Sequence, residues 1–281
     1  MDEVNYWHNQ GATISSIGNC MYTSQCETFT HAAEAGCFPV YDYMIYSLII
    51  GRSVSNQMND KGPFLKTQWD QGIPFNNQLQ PIDGQLPPLG CSAVAMGQIM
   101  AYHQWPSSYN WNEMLISDGY SITTQNFLKD IAIAINTNFA IDGSSAYITD
   151  VASKLKNTYG YSSTISVINH NDASVYAQLN LFQPVYMRGS MSNGDGHAWV
   201  CDGYRSLEYY TEYFLRLPVN YLEYGTGYSC QENYGVIQYY HMNWGWIFGL
   251  YNGWFFISDV NANQNNLDFR YNRQDIINIK K

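Results

Sequence analysis

The hydrophobic period of this chain changes once, near Gln183, and that change limits the folds open to it. Before it the spacing is helical. Ser92–Gln104 puts Ala95, Ile99 and Tyr102 on one face and stops short of Pro106. Thr123–Asn136 aligns Phe127, Ile131 and Ile135, and Ser144–Tyr159 aligns Ala152, Leu155 and Tyr159 with Gly160 just beyond. Ala173–Leu181 is a short fourth helix. After Gln183 the runs Pro184–Arg188, His197–Asp202, Gly235–Asn243, Gly253–Ile257 and Ile276–Ile279 read as strands. Helices first and strands later predict an α+β chain with segregated halves.

The 281 residues suffice for one large domain or two small ones. The first 61 read as a separate stretch, with short helices expected at 28–35 and 41–50, and Lys61-Gly62-Pro63 as its boundary. With 46% apolar and 13% charged residues the chain is too apolar for a disordered one. No apolar run reaches the roughly 18 residues of a membrane span. A formal charge of −10, with no basic cluster, repels phosphate backbones and argues against nucleic-acid binding. Many Tyr and Trp beside few Lys suit a protein outside the cell, at its surface or in a periplasm. The N-terminus has neither the basic nor the apolar region of a signal peptide, so either export does not occur or a leader has been removed. The six cysteines form no C-x-x-C pair, which excludes a zinc ribbon or a thioredoxin-type site; one bridge among Cys20, Cys26 and Cys37 stays open.

Three places carry chemistry. Cys91 follows Gly90 at the opening of the first strong helix, where unpaired N–H groups and the positive dipole end favour a thiolate. His197 opens an apolar strand after the loop Asn193–Gly196, a junction from which an imidazole can reach a cleft as general base. In Asn243-Trp244-Gly245-Trp246 an amide oxygen can hold an imidazole N–H and a Trp ring can exclude water from that bond. Each alone has a structural reading: a small core cysteine, a strand histidine bonded to a carbonyl, a packed aromatic turn.

In this order the three are much more specific. With the blocks Trp69–Asn76, Gly90-Cys91, Ile99–Pro106, Tyr109–Asn112, Gln183–Tyr186, Gly196–Ala198, Asp202-Gly203 and His241–Trp246, the stretch from Gly62 to Asn261 resembles the streptopain family of secreted bacterial cysteine peptidases. The resemblance implies a papain-like fold of two lobes, a helical lobe followed by an antiparallel β-sheet lobe, with the active-site cleft between them. It implies a peptidase domain over 62–281 that cuts protein or peptide substrates without metal or organic cofactor. Cys91 matches the nucleophile, His197 its proton acceptor, Asn243 the orienting amide and Trp244 the shielding ring. Gln71 and Gln85 compete as the side-chain donor of the oxyanion hole, and Gln71 is preferred because it lies in the Trp69–Asn76 block. Ser144, Ser145, Ala146 and Met191 line the expected pocket for a hydrophobic substrate side chain. His103, well along the nucleophile helix, and His241 are expected to be structural, and Asp195 to be solvated.

The chain also departs from that pattern. The stretch between His197 and Asn243 is much longer than in streptopain-like sequences, so 205–234 reads as a Tyr-rich insertion, a flap, lid or exosite. The Asn-rich stretch 261–271 replaces a glycine-rich loop. Residues 1–61 read as an N-terminal extension that does not resemble the family's inhibitory prodomain and is too short to be a whole one: a prodomain remnant, an accessory strap or a mature extension; an inhibitory prodomain or a separate inhibitor would be a regulatory partner. The competing function is a catalytically silent peptidase-fold protein that binds peptides or a partner; acyl transfer by the same thiol is a third. Retention of Cys91, His197 and Asn243 together argues against silence.

Overall fold

The computed structural model describes residues 49–117, 121–215, 228–246, 249–262 and 267–281, and side chains within these except 49–57, 116–117, 209–215 and 228–235. Five helices are described: α1 Cys91–His103, α2 Trp111–Ser117, α3 Ile122–Ala134, α4 Ile148–Asn157 and α5 Asp172–Asn180. The strands are β1 Ile49–Lys61, β2 Ser166–Asn169, β3 Val185–Ser190, β4 Gly196–Leu215, β5 Tyr228–Asn243, β6 Gly253–Phe256 and β7 Tyr271–Ile277. They form one seven-stranded sheet in the order β2-β7-β3-β4-β5-β6, with β1 also pairing β4. Residues 59–205 and 238–281 make one compact unit. Ile49–Met58, Ser206–Leu215 and Tyr228–Ile237 are strand portions of a second.

Helix α1 lies at the centre of the main unit. Ser92 through Ala101 are all buried, so the helix is enclosed all round, not on the single face expected from Ala95, Ile99 and Tyr102. A Cβ at Gly97 would stand 2.7 Å from Leu128 Cδ2, so glycine lets α3 approach closely. Around α1 pack Trp69, Phe75, Leu89, Phe127, Ile131, Val151 and Leu155.

The sheet separates two cores by its period of two. Tyr186, Ala198, Val200 and Ile276 join the core around α1. Their alternates Val185, Met187, Trp199 and Cys201 join Val175 and Leu179 of α5 with Tyr240, Met242 and Trp244 on the other side. The pairings of β3 with β4 and β7, of β2 with β7 and of β5 with β6 are antiparallel. The segregated α+β arrangement expected from the change of period is therefore present.

The differences are at the margins. Ile49–Ile50 belong to a strand, not to the expected helix over 41–50. The rest of that helix, the helix at 28–35 and the cysteines 20, 26 and 37 lie outside the described residues. The described ends of the 205–234 insertion prolong β4 and β5. The helix expected to begin at Ser144 starts only at Ile148, because Asn138 and Ser145 exchange backbone hydrogen bonds of 2.8 and 3.1 Å and hold the intervening loop open. The strand expected at Ile276–Ile279 begins earlier, at Tyr271, because it pairs with β3 along its length.

Candidate active site

Gly90 sets the position of Cys91. Its φ of 90° lies where side chains are strained, and a Cβ there would sit 3.2 Å from the Ser144 carbonyl oxygen. The chain can therefore turn sharply into α1 while lying against the loop that forms one rim of a cleft. Among the described residues no side chain caps α1, and the N–H groups of Cys91 and Ser92 stay available around the sulfur. Cys91 is half-buried. Burial pushes its thiol up, while the backbone N–H groups of Ala198 and Ser92 and the Ser92 hydroxyl pull it down. Tyr186 O–H donates to Ser92 Oγ at 2.9 Å, which leaves the serine proton for the sulfur.

His197 shares with Cys91 a cleft of about 390 Å³. Its ring lies among aromatics: Trp246 stacks at 4.3 Å between centroids, Phe269 is at 5.2 Å, and Trp199 and Trp244 are beyond 6 Å. Burial lowers the imidazole pKa to about 4, against the Trp244 carbonyl, which raises it. Nε2 lies 2.8 Å from that carbonyl oxygen. A carbonyl only accepts, so Nε2 carries the proton and Nδ1 is the basic nitrogen. Burial by itself thus favours a neutral thiol beside a neutral imidazole. Charge separation must come from their mutual attraction and from the N–H donors around the sulfur.

These elements are what a thiol-dependent acyl-transfer site requires: a nucleophile at a helix start, a base with one nitrogen fixed, and a shared cleft. A family model described as the Peptidase C10 family matches residues 69–112 and 107–255. The chain belongs to the Peptidase C10 family.

Relatives agree with that placement. The thiol protease/hemagglutinin PrtT of Porphyromonas gingivalis is 28% identical over 233 residues, covering 69% of this chain and 23% of that protein. Streptopain of Streptococcus pyogenes is 24% identical over 261 residues, covering 74% of this chain and 56% of streptopain. The matched region thus spans about half of streptopain and under a quarter of PrtT. The active wild-type interpain A cysteine protease of Prevotella intermedia superposes with a TM-score of 0.60 at 21% identity, over 79% of this chain and 96% of that one. A prointerpain A fragment gives 0.55 at 20% identity, over 79% of this chain and 73% of the fragment. The fold is that of the papain-like cysteine proteases.

Within this C10 domain the expected residues separate. Ser144, Ser145 and Ala146 line the cleft with Cys91 and His197. Met191 lines an adjoining hollow of about 370 Å³ instead. The cleft lining is polar and apolar in equal measure, with Asn136, Asn138 and Arg188 beside Ala146, Tyr147 and Ala198. The Gln71 carbonyl accepts from Leu89 N–H at 2.8 Å, which sets Gln71 beside the segment leading into Cys91. Gln85 is exposed in a tight turn paired with Ile82.

Asn243 makes its hydrogen bonds away from His197. Its Oδ1 accepts from Gln98 Nε2 at 3.0 Å and from Gly245 N–H at 3.2 Å, and its Nδ2 donates to the Thr67 carbonyl at 2.9 Å. Gln98 in turn accepts from the Thr67 hydroxyl and the Trp69 N–H. The amide therefore joins α1 to the segment that carries Gln71. Trp244 is fully buried and holds the imidazole through its carbonyl, while Trp246 provides the closest ring. Trp246, Gln98, Ser92 and Tyr186 are the residues sequence reasoning passed over; Trp246 alone left a signal, beside Trp244. His241 bonds buried Asp202, whose other oxygen accepts from Leu65 N–H, in keeping with a structural role.

Proposed function

We propose that this chain is a cysteine endopeptidase in which Cys91 is the nucleophile and His197 the general base. The observation that carries this is the shared cleft, in which His197 Nε2 is fixed by the Trp244 carbonyl and Nδ1 is left to take a proton.

In the reaction His197 Nδ1 takes the Cys91 thiol proton as sulfur attacks the substrate carbonyl carbon. The carbonyl π pair moves onto oxygen, where the Cys91 N–H and the Gln71 side-chain amide stabilise it. The C–N bond breaks, the leaving nitrogen takes the proton from imidazolium, and a thioester remains. Water then attacks the thioester, giving its proton to His197, and the thiol regains that proton as the carboxylate product leaves. Orientation of the base comes from a main-chain carbonyl, and Asn243 acts as a structural amide.

The substrates are proteins or peptides, and the family resemblance supports a location outside the bacterial cytoplasm. Residues 1–61 act as a remnant of an inhibitory segment. The ground for that reading is that a protein of this fold, prointerpain A, has a pro form.

The test compares wild type with His197→Ala by thiol alkylation at about pH 5.5, where an ordinary thiol of pKa about 8.5 hardly reacts. Labelling confined to Cys91 and lost in the variant, with cleavage of denatured casein to new peptide termini, is expected. Casein left uncut by protein that labels at Cys91, before and after removal of residues 1–61, would favour the silent binding protein. Ammonia release without new termini would favour acyl transfer.

A further inference from the structure

Among the described residues Arg188 stands in the cleft without a counter-charge. It lies on β3 opposite Ala198 of β4 and Gln274 of β7. Two residues earlier on the same face, Tyr186 donates to Ser92 beside Cys91, so Arg188 follows one strand repeat, about 7 Å, further along. Its Nη2 is 3.9 Å from where a Cβ of Gly196 would be, immediately before His197. The guanidinium thus crosses the rim that bears the candidate base.

The cleft holding Cys91 and His197 and the adjoining hollow at Met191 share Arg188 in their linings. Among the described residues it is the only permanently charged one lining either. The others that offer polar groups, among them Asn136, Asn138, Ser145 and Asn272, are neutral. Among the described residues no carboxylate pairs with Arg188. Its one hydrogen bond there is a long 3.4 Å contact from Nη1 to Gln274 Oε1. Asp195, the nearest acid in sequence, accepts from Asn193 at 2.7 Å. A guanidinium has five donors in a planar fork that matches a carboxylate. In a chain of net charge −10 the bulk field repels acidic peptides, so selection for them has to come from a local cation such as this one.

We propose that Arg188 is a specificity-determining residue that selects substrates with an Asp or Glu side chain within two residues of the scissile bond. This rests on the peptidase reading above.

The test uses internally quenched peptides that scan Glu, Gln and Lys through the two positions on each side of one cleavable bond. At one position the wild-type chain cuts the Glu peptide with a kcat/KM about 10- to 100-fold above its Gln counterpart, the range for a charge-assisted hydrogen bond. Arg188→Gln brings the Glu and Gln rates together, while Cys91 labelling at about pH 5.5 and the denaturant melt report an intact site and fold. Arg188→Glu turns the preference toward Lys. In wild type the preference shrinks as salt is raised from about 0.02 M to about 0.5 M, a readout independent of how any variant folds. A wild-type chain that cuts the Gln peptide without favouring Glu, a preference that survives in Arg188→Gln, or one indifferent to salt, overturns the role of Arg188 and leaves the peptidase reading standing. A chain that cuts no peptide and no casein overturns both.

Discussion

The imidazole of His197 is held by a main-chain atom, the carbonyl oxygen of Trp244, 2.8 Å from Nε2. A main-chain acceptor cannot be removed by changing the side chain that bears it. Its position depends on the turn that follows β5, where Trp244 N–H donates to Asn252 Oδ1 at 2.8 Å and Asn243 Oδ1 accepts from Gly245 N–H.

Asn243→Ala is therefore expected to affect stability more than chemistry. The side chain is buried, and its loss strands the Gln98 amide and the Thr67 carbonyl. The cost should be about 2–4 kcal/mol in denaturant unfolding. Well below the melting temperature, kcat should fall by less than about tenfold, against the roughly 10⁴ that follows loss of a side chain orienting the base. A thousandfold loss of kcat with a native melting curve would return Asn243 to the role the sequence first assigns it.

The two glutamines should separate sharply in kinetics. Gln71 is half-buried and its backbone is tied to Leu89, two residues before Cys91, whereas Gln85 is exposed in its own turn. Gln71→Ala should lower kcat/KM by about 10²–10³, the usual effect of losing one oxyanion donor. Gln85→Ala should stay near wild type. Equal effects, or the reverse order, would exclude Gln71 from the oxyanion hole.

The donor chain behind the sulfur gives a third outcome. Tyr186 donates to Ser92, and the Ser92 hydroxyl lowers the Cys91 thiol pKa. A hydrogen bond to a charged group contributes about 1.5–3 kcal/mol, and one pH unit equals about 1.36 kcal/mol. Ser92→Ala should thus move the acidic limb of the alkylation profile up by about one to two pH units. Tyr186→Phe should move it in the same direction by less, because Ser92 keeps its proton but loses the donor that polarises it. A profile unchanged in Ser92→Ala would mean that the backbone N–H groups of Ala198 and Ser92 alone tune the sulfur.

Local signals made part of this legible. A glycine and a cysteine ahead of an apolar run mark the start of α1, and short continuous apolar runs mark β3 and the first half of β4, buried on both faces, where Tyr186, Ala198 and Val200 face one core and Met187, Trp199 and Cys201 the other. What stayed hidden depends on partners distant in sequence. Asn243 meets Thr67 across 176 positions and Gln98 across 145, and no spacing rule brings them together. Strand β1 contains Arg52, Asn56, Asn59 and Asp60 and has no apolar alternation to betray it. Helix α2 has seven residues and β2 four, too short for a period to emerge. The ring stacked on His197 is that of Trp246, two residues beyond the tryptophan the family pattern singles out.

His103 provides the pH test. It sits at the end of α1 between Tyr102 and Tyr161, with centroids at 5.0 and 5.5 Å, and its Nδ1 is buried with no hydrogen-bond partner among the described residues. Burial, with a smaller contribution from Lys281, lowers its pKa from 6.5 to about 4. Between those values the unfolded chain binds a proton that the folded chain refuses, so stability rises with pH across this window. The contribution is complete above pH 6.5 and is lost progressively as pH falls toward 4. His197 acts in the same direction, so His103→Phe should flatten the acid limb without abolishing it. Relative to the effect of the substitution at about pH 7.5, the variant should regain about 2 kcal/mol at about pH 4.5. Denaturant melts of both proteins at the two pH values measure this, and parallel losses on acidification would show that His103 accepts its proton without unfolding.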